Sequence, residues 1–328
     1  MLVASVAALL AAALFALATA LQHRSAGLVP DAGARGSGRL IAFILGTLRH
    51  PLWIMGTLAD VGGFGLHALA LRYGPLTLVQ PLLVSTLVFA LVLRQLLEHR
   101  RPGRNELAWA SALAVGLILF LAIVTPGDGV AQPASTVPTV LMSTLIGLGI
   151  AGFFIAGRRR TGSAAAALLG TATGLSYAGA AGLLKQDMGT LDRGVGALAT
   201  SWSLYALIAL GGFSLLLNQL AYQAGPLRAS LPTIMTVDPI FSLVIGVAVF
   251  DEHFRSGPAD LLGELIGLVL VVGAAVGLTR SGPGAGTGTS HSPEGGPPSG
   301  VGSSPYRGFA AAHGPQVELP ARPVTPRS

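Results

Sequence analysis

The chain has 328 residues, of which 52% are hydrophobic and only 10% charged, with a net charge of +6 and no cysteine. Roughly a quarter of an ordinary soluble domain is charged, so this composition cannot clothe a water-facing surface and places the chain in a bilayer. The missing cysteines exclude disulfides, thiolate metal centres and cysteine nucleophiles, and arginines gathered in short clusters between apolar runs mark topology rather than a nucleic-acid partner.

Apolar stretches of about 20 residues, enough for an α-helix to cross ~30 Å of hydrocarbon, fall near 2–22, 51–72, 75–97, 107–125, 137–157, 163–184, 202–222, 227–250 and 259–279. The predicted fold is therefore all-α and polytopic, with about nine transmembrane helices. The residues 38–50 are too few to span and carry arginine at both ends, which predicts an interfacial helix. In the second helix Asp60 shares one face with Gly56, Gly63, Phe64 and His67, an acid and a histidine beside small residues. They either line a cavity or hydrogen-bond neighbouring helices. The third helix opens at Gly74-Pro75-Leu76 and carries Gln80 and Pro81. In the seventh, Gly211, Ser214, Asn218 and Tyr222 form a polar stripe that either lines a passage or joins helices. The eighth carries Pro232 and Asp238-Pro239, where proline removes a backbone donor and loosens the preceding turn. Asp60 and Asp238 lie nine and eleven residues into their helices, which puts both about 13–17 Å deep, near the midplane. Beyond residue 279 a Gly-, Pro- and Ser-rich composition predicts a disordered tail over 280–328.

One passage occurs twice. Glu98-His99-Arg100-Arg101-Pro102-Gly103 and Glu252-His253-Phe254-Arg255-Ser256-Gly257 each follow an apolar helix that begins at Gly-Pro-Leu and has proline six residues after the first one. Helices 1–4 (residues 1–125) and 6–9 (163–279) thus form two copies around a connecting helix at 137–157. An odd helix between them turns the second copy over, giving an inverted repeat. The E-H-x-R passages themselves read as interfacial turns. Twelve Lys and Arg lie in the segments after helices 1, 3, 5 and 7 against four on the other side. The positive-inside rule then sets the amino terminus outside and the carboxyl terminus in the cytoplasm of a plasma or inner membrane.

Ala70-Leu71-Arg72-Tyr73-Gly74-Pro75-Leu76 through Gln80-Pro81-Leu82, and Phe250-Asp251-Glu252-His253 before a glycine-rich last helix, resemble the drug/metabolite transporter superfamily. Members of that superfamily are inverted repeats of five helices per half. Trp53, Gly56 and Asp60, with nine helices instead of ten, resemble its NIPA-like, magnesium-transporting subgroup. The resemblance implies transport and leaves the cargo open.

Taken together, these features predict a secondary transporter that alternates access for a small cationic solute, Mg²⁺ or an amine-bearing metabolite. Its substrate-binding set is Asp60, His67, Gln80, Asn218, Tyr222 and Asp238, with Asp60 and Asp238 as metal ligands. Mg²⁺ keeps several waters and needs only one or two protein carboxylates. Mg²⁺ or H⁺ is expected as the transported or coupling ion, with no resident cofactor and no enzymatic activity, since neither H-E-x-x-H nor a nucleophile–base arrangement is present. Glycines at four-residue spacing, such as Gly170 and Gly174, serve internal packing or a homodimer equally well. The competing reading is a non-transporting membrane scaffold whose polar residues only join helices.

Overall fold

A computed structural model describes residues 1–28, 50–98, 102–123, 132–252 and 258–281. The described residues are helical and contain no strand. In chain order the helices are α1 (Leu2–Leu28), α2 (Pro51–Tyr73), α3 (Leu76–Leu83), α4 (Thr86–Glu98), α5 (Arg104–Ile123), α6 (Thr136–Arg158), α7 (Gly162–Leu191), α8 (Val195–Ala199), α9 (Trp202–Ala224), α10 (Leu227–Phe250) and α11 (Pro258–Ser281). Among the described residues eight spans are long and apolar enough to cross a membrane, α3 and α4 together making one of them. The place of the predicted ninth is taken by α11, whose apolar stretch counts as the shorter Ile266–Ser281. The predicted interfacial helix at 38–50, except His50, and the tail beyond Ser281 lie outside the described residues.

Local chemistry explains where the helices begin and stop. His50 Nδ1 accepts from the Leu52 N–H at 3.3 Å and Pro51 occupies the first turn of α2, where its missing donor costs nothing. The Gly-Pro steps at 74–75 and 225–226 end α2 and α9 and start α3 and α10. Each of these two glycines lies against the start of a long helix. A side chain at Gly74 would strike Ala4 of α1, and one at Gly225 would strike Gly162 and Ala166 of α7.

The predicted third helix differs from expectation in being two pieces. At Val84–Ser85 the backbone tightens to three-residue hydrogen bonds (Val84 N to Pro81 O at 3.2 Å, Ser85 N to Leu82 O at 3.0 Å). Pro81, inside α3, cannot donate to the carbonyl one turn earlier, and the ladder is interrupted just beyond it.

The packing follows a repeated scheme. In the first segment α1 lies on α2 and against α3 and α4, and in the second α7 lies on α9 and α10. The two third helices, α3 and α10, meet each other, and so do the two fourth, α5 and α11. Small residues make these seams close. A Cβ at Gly63 would lie 2.9 Å from the Phe15 ring, and one at Gly56 would lie 2.8 Å from Gln22 Cγ. The outward faces of α2, α6 and α9 carry exposed Leu58, Val61, Leu141, Leu148, Ile208, Leu215 and Leu216, the surface a bilayer solvates.

Candidate functional site

Two polar centres sit inside the spanning helices, one in each segment. In the first, α1 and α2 pack closely enough at Gly56 for Gln22 Nε2 to donate to Asp60 Oδ2 at 2.9 Å. Two turns further along α2, the His67 Nε2 lies 3.4 Å from Gln80 Nε2 of α3, so the amide donates to the ring whenever Nε2 is unprotonated. Gln80 is buried, while Asp60 and His67 are half-buried.

The second centre gathers around Asp238. Gly174 lets α7 approach α10 so closely that a Cβ there would lie 2.8 Å from Val237 Cβ and 3.2 Å from the Asp238 nitrogen. Asp238 Oδ1 accepts from Ser242 at 3.2 Å, one turn on in the same helix. Tyr177 of α7 lies within electrostatic reach of both Asp238 and Tyr222. One turn before Tyr222 in α9 stands Asn218, whose Oδ1 is buried without a partner among the described residues. Sequence reasoning missed Tyr177. A tyrosine in an otherwise small-residue helix, following Gly170 and Gly174, was the available signal.

The six predicted site residues thus separate into two sets, Asp60, His67 and Gln80 in one and Asn218, Tyr222 and Asp238 in the other. No hydrogen bond or ion pair joins Asp60 to Asp238 among the described residues. Nor do three or more His, Asp or Glu side chains come together among them, so a metal held at Asp60 and Asp238 would rely on neutral oxygens and water for its remaining ligands. The remaining polar member of the seventh-helix stripe serves the backbone, the Ser214 hydroxyl donating to Leu210 O at 2.7 Å.

The most heavily built polar arrangement is one the sequence did not reveal. Glu252, which opens the second E-H-x-R passage, is 2% exposed. Its Oε1 accepts from the Leu76 N–H at 2.7 Å and its Oε2 from the Thr77 N–H at 2.9 Å, capping the amino end of α3. Lys185 of α7 closes an ion pair on the same carboxylate and lies 5.1 Å from the Phe250 ring centre. Three donors and a helix dipole therefore converge on one anion. The chain reaches this position through Asp251 in the left-handed region (φ 52°), while the Glu252 N–H returns to Gly246 O at 3.1 Å. Gly246 is required because a Cβ there would collide with the Glu252 carboxylate.

Of the passage predicted as an interfacial turn, residues 253–257 lie outside the described residues, and Glu252 is a buried cap, because the unpaired N–H groups of α3 and the Lys185 ammonium both need an anion. Lys185, just past the predicted helix end at 184, lies inside α7, which runs seven residues beyond that point. Nearby in α7, Asp187 is also buried. It accepts from Ser203, and its Oδ2 lacks a partner among the described residues. A cavity of about 220 Å³ lies between α6, α7, α9 and α10. Its walls are mainly apolar, among them Met142, Ile146, Leu183 and Phe250, and it contains none of the predicted site residues.

The chain is 28% identical over 283 residues to an uncharacterized protein of Corynebacterium glutamicum, a match covering 83% of this chain and 96% of that one. No protein-family profile matches it, and no solved structure does.

Proposed function

We propose that this protein is a secondary transporter of the drug/metabolite transporter kind, similar to its NIPA-like subgroup, moving a small cationic solute by alternating access between two inverted halves. The observation that carries the reading is a half-buried polar centre in each segment, set within helices of spanning length, with the Asn218 carbonyl buried and without a partner among the described residues. Polar groups at such depth cost several kcal/mol on general grounds and persist where they face a pathway or each other. The repeated packing scheme supports an inverted repeat: first on second, first on third, thirds together, fourths together. Two separate carboxylates with neutral oxygens suit a partly hydrated Mg²⁺ or an ammonium group, with H⁺ as an alternative coupling ion. On this reading the amino terminus faces outward and the carboxyl terminus the cytoplasm.

The test is flux into proteoliposomes and cells over a panel of divalent cations and amines. Asp60→Asn and Asp238→Asn should each abolish flux of the accepted cargo while leaving membrane abundance unchanged. The scaffold reading has an observation of its own, since Asp60 and Asp238 already hold Gln22 and Ser242. It requires both substitutions to lower thermal stability in detergent and to change no flux.

A further inference from the structure

Glu252 joins elements that belong to different packing sets. Its own position follows α10, Lys185 stands on α7, and Leu76 and Thr77 begin α3, which in sequence belongs with α1 and α2. The segment it holds is short. Residues Leu76–Leu82 are buried along their whole length, and α3 then gives way to the break at Val84–Ser85. Gln80, the residue touching His67, lies one turn beyond Thr77 on this same segment. A helix of eight residues fixed at its amino end by a side chain and jointed at its other end is a lever. Whatever releases the fixed end moves Gln80 with respect to α2.

The fixing is also of a kind that opens all at once. A carboxylate that satisfies two backbone donors and an ammonium cannot leave one of them without stranding the others in a buried place, so intermediate positions are disfavoured against fully held and fully released ones. We propose that Glu252 is the latch of a gate at the membrane face where α3 begins, closed here onto Leu76, Thr77 and Lys185, and released when that face opens to admit or discharge cargo. The idea rests on the transport reading above for its purpose, though the latch can be tested without any cargo. Glu252 and Lys185 are positioning residues in this scheme and touch no solute.

The chain has no cysteine, so Thr77→Cys introduces a single thiol beneath the latch, at a position 2% exposed. Reaction with a membrane-impermeant maleimide, in proteoliposomes and in intact cells, reports how often the face opens. With Glu252 intact the reaction should be slow. In Glu252→Gln the amide nitrogen is itself a donor and cannot accept from the donors around it, so labelling should rise at least tenfold. Lys185→Met, which leaves both N–H bonds in place, should give a smaller rise, and Lys185→Arg should restore slow labelling. Ala172→Cys, buried in α7, is the control and should stay unreactive throughout. Equal labelling of Thr77→Cys with Glu or Gln at 252 overturns the latch, and so does a parallel rise at Ala172→Cys, which would make Glu252 a structural cap alone. Flux is read separately. Glu252→Gln should lower the maximal rate with little change in KM, and a wild-type protein that moves no cargo yet labels as described would overturn the transport reading and leave the latch standing.

Discussion

The third helices of the two segments start alike and end differently. Both follow Gly-Pro-Leu and both carry proline six residues after the first, yet α10 runs unbroken for 24 residues through Pro232 and Pro239, whereas its counterpart divides into α3 and α4. Hydroxyl contacts accompany both. In α10, Thr236 bonds to Pro232 O at 2.8 Å and Thr233 to Ser230 O at 2.7 Å, while beside the break in the first segment Thr86 bonds to Leu83 O at 2.7 Å. In the first segment the Ser85 hydroxyl, at the position matching Thr236, is buried without a partner among the described residues. Proline alone therefore does not break a helix here. The outcome is a rod in one segment and a jointed lever, held at its end by Glu252, in the other.

The strongest way to break this comparison is to remove what holds the lever. Glu252→Ala leaves the Lys185 ammonium and two N–H groups buried and unpaired, and taking one partner from a buried pair costs about 3–5 kcal/mol. The detergent-solubilised protein should melt at a markedly lower temperature. A melting point within a degree or two of wild type would mean that water replaces the carboxylate and that the cap contributes little.

The next test acts on the joint. Proline in a helix interior disfavours it by about 3 kcal/mol relative to alanine, so Pro81→Ala should tend to fuse α3 with α4, raise thermal stability and slow flux by stiffening the lever. Pro232→Ala sits in a helix that already tolerates its proline and should change both quantities less. Reversal of that order would show that the joint comes from packing around Val84–Ser85 and not from Pro81.

The difference between rod and lever also marks how far the sequence can be read. Helix existence and approximate limits follow from apolar length, which is why spans at Pro51–Tyr73, Thr136–Arg158 and Trp202–Ala224 lie close to expectation. Asp60, His67 and Gln80 were legible because a polar group in an apolar run announces itself, and the His67–Gln80 contact follows from the neighbouring helices that carry them. The Glu252 cap was hidden because its partners are backbone N–H groups 176 and 175 residues away, which no side-chain pattern encodes. Lys185 was hidden for a related reason. Its charge suggested a loop, and only the anion brought by another helix lets α7 continue through it. The repeated Glu at 98 and 252, with a lone lysine at the end of an apolar run, was the available signal, and only the topology joins its two ends.

The smallest expected effects concern the glycines that set how closely the rod is held. Gly174 has α10 directly against it, and a Cβ there would lie 2.8 Å from Val237 Cβ. Gly174→Ala should destabilise by about 1–3 kcal/mol through forced separation of the two helices and should also disturb Asp238, whose nitrogen lies against the same spot. Gly273 of α11 has the same four-residue partner, Gly277, but a Cβ there meets nothing within 4 Å. Gly273→Ala should therefore gain up to about 1 kcal/mol from helix propensity and leave flux unchanged. Thermal melting of the two variants side by side separates glycines required for contact from glycines that are merely tolerated. Equal destabilisation by both would mean that α11 packs against something at Gly273 in the membrane, and a second copy of the chain would be the first occupant to test by cross-linking from that position.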